Sequence, residues 1–162
     1  MESQKQNFIQ IIKDNQGIIK SLCKAYYVSH EDQKDAYQDI VFQLWKSFET
    51  FQGDSSLGTW IYRVSLNTLL TKVRNERNKI ITEPLSVTDI MMPTVMADDD
   101  RELLNIVMLC LKGLDKAIVI LYLEGYKNKE ISNILKITPT NVSTRLNRIK
   151  SELHSKLKKI SQ

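Results

Sequence analysis

The sequence predicts an all-α protein made of two small helical domains joined by a linker, with a helix-turn-helix in the C-terminal domain. The 162 residues include only five glycines and three prolines. Apolar residues recur mostly at three- and four-residue intervals, which is the period of amphipathic helices and not of strands. This periodicity disappears between Ile80 and Ala97. We therefore expect domains at residues 1–80 and 100–162, with residues 81–99 as the linker.

Three helices are expected in the N-terminal domain. An apolar stripe predicts the first over Phe8–Tyr26, and similar patterns predict the second over about Asp32–Phe48 and the third over about Thr59–Asn78. The segment GDSSLG, residues 53–58, is rich in turn formers and predicts the loop before the third helix.

Four helices are expected in the C-terminal domain. Their apolar patterns cover about Leu103–Leu111, Ile118–Leu123, Asn128–Leu135 and Pro139–Lys158. Gly125 is suited to end the second of them, because glycine is common just past a helix C-terminus. The last two helices are separated by three residues, which is the spacing of a helix-turn-helix.

The composition is that of a cytoplasmic protein. No run approaches the roughly 20 apolar residues of a membrane span, and the first ten residues lack the apolar core of a secretion signal. Cys23 and Cys110 lie in apolar helical patterns without metal-ligand spacing, so we expect two buried, reduced thiols. His30 and His154 are isolated, and no nucleophile–base pair or phosphate loop is visible. We therefore expect no enzyme, no metal site and no cofactor.

Positive charge is concentrated in two blocks. Residues 126–162 hold nine Lys and Arg against two acids, a net charge of +7, and residues 60–80 hold five against one, a net charge of +4. Residues 84–102 between them have a net charge of −4. Two basic blocks can present two surfaces to one polyanion, although charge runs are also common on merely solvated helix faces.

The most informative segment is KNKEISNILKITPTNVSTRLNRIK, residues 127–150. Thr138 can cap the final helix, and Pro139 suits its first position because the missing N–H would be unpaired there. An apolar stripe follows at Val142, Leu146 and Ile149. The remaining faces carry side chains that bind phosphates and base edges, and these are the predicted DNA contacts: Thr140, Asn141, Ser143, Thr144, Arg145, Asn147, Arg148 and Lys150. The alternative is a helical hairpin with a basic, solvated face.

Two segments of the N-terminal domain are also distinctive. In DQKDAYQDIVFQLW, residues 32–45, acidic residues cluster near Gln38. Because acids do not form a DNA-binding surface, the expected partner is a basic protein surface. The alternative is an acidic face that is simply solvated. TWIYRVSLN, residues 59–67, combines aromatic and basic residues and leads to Arg74 and Arg77, as single-stranded nucleic acid requires. Trp60 and Tyr62 nevertheless fit a core position better than a stacking platform.

The order of these segments resembles bacterial sigma factors. Residues 32–45, the Gly/Ser loop and residues 59–67 are similar to their second conserved region, and the helix-turn-helix is similar to their fourth. A short linker with only these two domains resembles the extracytoplasmic-function group. The resemblance extends over about residues 7–158.

The resemblance implies a dissociable specificity subunit of RNA polymerase. Asp35, Gln38 and Asp39 would dock on the clamp helices of the largest subunit of the polymerase core. The minus-ten promoter element would be melted and held by residues 52–58 and by Trp60, Arg63, Asn67, Arg74 and Arg77. The recognition helix would bind the minus-thirty-five element as duplex. Anti-sigma factors are common inhibitors in this group, so one is a further expected partner.

Four positions depart from the pattern of the family. Asp115 replaces the usual proline after Leu114, which leaves an Asp cap as the expected start of that helix. Lys136 replaces a glycine in the turn, so we expect a left-handed lysine at a cost of about 1 kcal/mol. Thr71 replaces a frequent Asp, and Ser143 replaces a frequent basic residue, which changes the expected promoter sequence.

Two other functions remain open at the sequence level. The first is a helix-turn-helix transcriptional regulator whose N-terminal half is a dimerisation or ligand domain. The second is an anti-sigma-like interaction module that does not contact DNA. The basic face of the recognition helix argues against the second.

Overall fold

The computed structural model describes residues 1–80 and 100–160, and within these ranges all regular structure is α-helical. The described residues form seven helices, in chain order α1 Glu2–Tyr26, α2 His30–Phe48, α3 Leu57–Ile80, α4 Asp100–Cys110, α5 Gly113–Leu123, α6 Asn128–Leu135 and α7 Pro139–Ile160. The all-α prediction is confirmed. The predicted linker, residues 81–99, lies outside the described residues.

Local signals place several helix ends. The Ser29 hydroxyl accepts the Asp32 backbone N–H at 3.1 Å and so caps α2. The Ser56 hydroxyl accepts the Thr59 N–H at 3.2 Å at the start of α3. These side chains bind backbone donors that the first turn of a helix leaves free.

The helix-turn-helix has the predicted boundaries. The Thr138 hydroxyl accepts the Asn141 backbone N–H at 3.1 Å, and α7 begins at Pro139. Lys136 adopts the left-handed conformation at φ 55° and ψ 44°, as the missing glycine implied. Two other helices begin earlier than predicted: α1 at Glu2, six residues before Phe8, and α5 at Gly113, five residues before Ile118.

Helices α1, α2 and α3 pack against one another through aliphatic side chains from each helix. Ile19, Ile40, Leu44, Ile61 and Leu66 are all fully buried. Burial of such side chains contributes roughly 1.5–3 kcal/mol each and is the main stabilisation of these helices.

A second group of buried side chains holds α5, α6 and α7 together. Ile118, Leu121, Ile131 and Val142 are fully buried at this junction, and Ile134 is 1% exposed. This packing fixes the angle at which α6 presents α7, which is what a helix-turn-helix requires.

The two halves also contact each other directly. The Tyr26 hydroxyl donates a 2.8 Å hydrogen bond to the Gly113 carbonyl, and the Thr59 and Tyr126 hydroxyls are 3.1 Å apart. Lys116, 9% exposed, donates to the Ala25 carbonyl from beside the Tyr26 ring. Burial lowers the pKa of Lys116, and the nearby Lys112 adds to this effect. Most buried apolar side chains of both halves belong to one cluster, and Leu111, Val119 and Ile149 form a separate, smaller one.

Both cysteines are free thiols, but their environments differ. Cys23 is 2% exposed, whereas Cys110 is only partly buried. The expectation of two buried thiols is therefore correct for Cys23 and wrong for Cys110. None of the helices between residues 1 and 80 or 100 and 160 is long and apolar enough to cross a membrane.

Candidate nucleic-acid interface

The outer face of α7 is open to solvent. Thr140, Thr144 and Asn147 are exposed and follow at intervals of four and three residues, so they lie on one side of the helix. Val142 and Leu146 lie on the other side, at 0% and 4% exposed. This face offers hydroxyl and amide groups of the kind that bind base edges in a major groove.

One flank of α7 is held by α5 and α6. The Asn128 side-chain amide donates to the Ser143 hydroxyl at 3.0 Å. The ammonium of Lys150 lies 4.8 Å from the ring centre of Tyr122. Ser143 is therefore partly buried against α6, while Lys150 stays exposed beside an aromatic ring.

The other flank carries both arginines of the recognition helix, and they converge on one carboxylate. Arg145 donates to one oxygen of Asp115 at 2.7 Å, and Arg148 donates to the other at 2.6 Å. Arg145 also donates through Nε to the side-chain oxygen of Asn141 at 2.8 Å. The arginine side chains remain 31% and 49% exposed. They are thus at the protein surface, but they are not free.

The expected Asp cap of α5 is wrong. Residue Lys112 occupies the N-cap position, without a side-chain hydrogen bond, and Asp115 lies in the first turn. Its carboxylate turns instead to the two arginines of α7. This role was not predicted from the sequence, where Asp115 was expected only to cap its own helix.

In the N-terminal domain, Arg63 and Asn67 line an open groove of about 730 Å³ between α2 and α3. The groove is also lined by Thr68 and Thr71, and Lys136 of the helix-turn-helix reaches its rim. The Nε of Arg63 is buried and has no hydrogen-bond partner among the described residues. A buried donor without a partner is costly.

Further along α3, Arg74 and Arg77 are both exposed. They are close enough in sequence to lie on neighbouring parts of one helix face, as residues three apart do. They extend the positive charge of α3 beyond the groove, towards the C-terminal end of the helix.

Trp60 does not offer a stacking surface. It is 5% exposed, with its ring centre 4.9 Å from that of Phe51 and 6.2 Å from that of Phe48. The core interpretation of Trp60 and of Tyr62, which is 8% exposed, agrees with the structure. The expectation that Trp60 contacts the minus-ten element directly is therefore not supported, because almost none of its surface is accessible.

The acidic segment lies on the exposed face of α2. Asp35, Gln38 and Asp39 are all exposed, and Asp39 forms a 2.9 Å ion pair with Lys72 of α3. Beside them lie two exposed apolar side chains, Phe42 at 59% and Trp45 at 40%.

Neither Phe42 nor Trp45 is among the residues for which the sequence predicted a function. An apolar residue next to the acids on the same helix was the available signal. Together with Ile9 and Val41 of the adjoining surface, they line a groove of about 690 Å³ that also includes Gln38.

Two family models match the chain. Residues 11–79 match sigma-70 region 2, and residues 107–153 match sigma-70 region 4. The matched segments contain α2 and most of α3 in the first case, and α5, α6 and most of the recognition helix in the second.

Individual relatives agree with these matches. The ECF RNA polymerase sigma-E factor of Haemophilus influenzae is 27% identical over 173 residues, covering 96% of this chain and 90% of that protein. The ECF RNA polymerase sigma factor SigG of Mycobacterium tuberculosis is 37% identical over 57 residues, which is 35% of this chain. The matched part is only 15% of the length of SigG.

A solved structure shares the fold. The sigma factor RpoE of Bartonella quintana, crystallised with the anti-sigma factor NepR, superposes with a TM-score of 0.68, covers 98% of both chains and is 15% identical. With regions 2 and 4 both matched in the expected order, the chain belongs to the extracytoplasmic-function group of the sigma-70 family of RNA polymerase sigma factors.

Proposed function

We propose that this protein directs core RNA polymerase to specific promoters and assists promoter melting. In this proposal residues 1–80 bind the polymerase clamp and the minus-ten element, residues 81–99 are a linker, and residues 100–162 bind the minus-thirty-five element. The observation that carries the proposal is the open outer face of α7. Thr138 caps this helix, and α5 and α6 hold it in a helix-turn-helix. Thr140, Thr144 and Asn147 are exposed on this face, as a helix that binds the major groove requires.

The minus-thirty-five contacts are divided between the outer face and its flanks. Thr140, Thr144 and Asn147 are exposed on the outer face and would contact base edges. Asn141, Ser143, Arg145, Arg148 and Lys150 lie beside it, where phosphates border the groove. This assignment makes arginine contacts with bases less important than the sequence alone suggested.

The minus-ten element would be held along α3. Opening DNA costs a few kcal/mol per unstacked base, and a pocket for an extruded base together with a positive groove can offset that cost. Arg63 and Asn67 line the open groove between α2 and α3, and Arg74 and Arg77 are accessible to the strand backbone. Because two footprints on one chain raise each other's effective concentration, each can be weak by itself.

Polymerase docking is assigned to the exposed face of α2. Asp35, Gln38 and Asp39 supply acidic and amide groups, and Phe42 with Trp45 supplies an apolar surface beside them. An apolar centre with a charged border is the usual composition of a protein–protein interface. The clamp helices of the largest subunit, as a basic surface, would complement it.

The same proposal excludes a catalytic role for the chain and requires no cofactor or metal. Because it acts with RNA polymerase on the chromosome, its place is the cytoplasm. An anti-sigma factor is a further proposed partner, and the likeness in fold to a sigma factor crystallised with such an inhibitor supports it.

The test is size-exclusion chromatography with and without core polymerase, combined with promoter binding. We expect the free chain to bind duplex promoter DNA poorly, to co-elute with core polymerase, and to make the complex promoter-specific. A dimer that binds a duplex operator tightly without polymerase would instead identify the helix-turn-helix regulator. If neither the free chain nor the chain with core polymerase binds DNA, the protein would be the interaction module that does not contact DNA.

A further inference from the structure

We propose that Asp115 is a positioning residue for promoter recognition: its carboxylate holds Arg145 and Arg148 at the flank of α7 and competes with DNA phosphates for them. The inference rests on the proposed function, because it concerns how strongly the same helix attracts the DNA backbone. In this proposal Asp115 lowers the affinity for DNA of any sequence and so leaves promoter choice to the outer face of α7.

The geometry is that of a shared clamp. Each oxygen of Asp115 accepts one guanidinium, Arg145 at 2.7 Å and Arg148 at 2.6 Å. Charge-assisted hydrogen bonds of this length are roughly twice as strong as neutral ones. The carboxylate is only 25% exposed, so water and salt screen it less than they screen a pair on an open surface.

Arg145 is fixed at two points. Its Nε donates to Asn141, one turn earlier on α7, while its Nη1 donates to Asp115. The planar guanidinium therefore has little rotational freedom. Arg148 is more exposed, at 49%, and its second acidic neighbour, Glu152, is 3.9 Å away. Of the two carboxylates near Arg148, Asp115 makes the far shorter contact.

The charge balance decides the effect on DNA binding. Two arginines and one aspartate carry a net charge of +1. This group of three attracts a phosphate less strongly than two free arginines would. Affinity for DNA of any sequence comes from phosphates that Lys and Arg neutralise. This affinity is lower when the arginines are already paired with a carboxylate of the protein. The outer face, with Thr140, Thr144 and Asn147, is not affected by the clamp. The part of the binding free energy that depends on sequence therefore becomes a larger share of the total.

The position of Asp115 suits this role. It lies in the first turn of α5, where a carboxylate is favoured by the helix dipole. It comes from a helix that itself packs on α7, so its distance from the arginines is set by the core. The contacts of Asp115 with the two arginines are therefore already formed before DNA binds.

The test compares Asp115→Asn with the wild type, both as the full chain assembled with core polymerase. Binding to promoter duplex and to duplex of unrelated sequence is measured over a range of salt concentrations. We expect Asp115→Asn to bind unrelated DNA about three- to tenfold more tightly, with a salt slope steeper by about 0.9 for each additional phosphate engaged. The affinity for promoter duplex should rise by a similar factor, so the ratio of promoter to unrelated affinity should change little, because the two arginines face phosphates in both duplexes. A structural defect alone would not steepen the salt slope.

Two further variants complete the test. Asp115→Glu keeps the charge and should restore the wild-type salt slope. Glu152→Gln removes one negative charge from α7 itself, at a site 3.9 Å from Arg148 and 60% exposed, and should leave the slope unchanged.

An equal effect of Glu152→Gln would show that overall charge is responsible and would overturn the inference. An unchanged slope in Asp115→Asn, with the wild type still promoter-specific, would overturn the inference alone. Failure of the wild-type complex to select a promoter would overturn the proposed function, and the inference with it.

Discussion

The carboxylate of Asp39 lies 2.9 Å from the ammonium of Lys72, so an ion pair joins the helix assigned to polymerase binding with the helix assigned to minus-ten DNA. Asp39 is 53% exposed and Lys72 25%. The carboxylate raises the pKa of Lys72 by accepting its hydrogen bond, against the opposing effect of burial. Exposed ion pairs contribute at most about 1 kcal/mol, and Asp39 can therefore turn from Lys72 to a basic partner at little cost.

The first prediction concerns polymerase binding. Replacing Gln38 and Asp39 together by Ala should weaken binding to core polymerase at least about tenfold, because a paired charge and an amide are lost at the proposed interface. The melting temperature should change little, since both side chains are exposed. Fluorescence anisotropy of the labelled chain titrated with core polymerase measures the effect.

A matched control is available on α1. Gln10 and Asp14 are an exposed Gln–Asp pair joined by a 2.8 Å hydrogen bond, and their replacement by Ala removes the same chemical groups elsewhere. Wild-type affinity is expected for this variant. If both double variants bind core polymerase as the wild type does, the assignment to α2 is wrong.

The second prediction concerns promoter opening. Replacing Arg74 and Arg77 by Ala should reduce binding of the polymerase complex to a fork-junction promoter with a single-stranded minus-ten element. The salt slope should fall by about 0.7 for each phosphate of the single strand that the variant no longer neutralises. Lys20 and Lys24, exposed on α1, are a control with equal charge. A uniform loss of affinity in both variants would mean that only net charge matters.

The third prediction separates structure from recognition at Trp60. Its ring is buried among aromatic neighbours, so Trp60→Ala should lower the free energy of unfolding by about 3–5 kcal/mol, measured by urea denaturation. Trp60→Phe keeps much of the packing and should retain fork-junction binding. A stable Trp60→Phe protein that has lost fork-junction binding would instead show that Trp60 contacts the DNA.

The fourth prediction follows from the environment of Cys23. Burial raises the pKa of its thiol from 9.0 to about 11, so at pH 8 only about one molecule in a thousand carries the thiolate that reacts with disulfide reagents. Of the two thiols, Cys110 should react readily with such a reagent. Cys23 should react only after unfolding, or as the pH approaches 11.

Single variants identify the two thiols. Cys110→Ser should abolish the rapid reaction of the native protein at pH 8, and Cys23→Ser should leave it unchanged. Rapid labelling of the native Cys110→Ser variant would show that the helix around Cys23 opens far more often than its 2% exposure implies.

Features set by neighbouring residues could be predicted from the sequence. Helix α6 was predicted at its observed bounds, Asn128–Leu135, and the cap at Thr138, the start at Pro139 and the left-handed Lys136 were also correct. Each depends on a backbone or side-chain preference within a few residues of chain, which is where sequence patterns are most informative.

Features that join distant parts of the chain could not be predicted in this way. Asp115 lies 30 residues before Arg145, and Tyr26 lies 87 residues before Gly113. A sequence pattern does not specify which helices bring such residues together. For the same reason Arg145 and Arg148 were predicted only as DNA contacts, although the fold supplies one carboxylate to both.

The proposed function depends on one claim, that this chain gives core RNA polymerase its choice of promoters. In vitro transcription with core polymerase on a library of genomic fragments, with start sites mapped with and without the chain, tests it most directly. We expect a discrete set of start sites that require the chain and share two short sequence blocks upstream. Start sites that are the same in both reactions would contradict the claim.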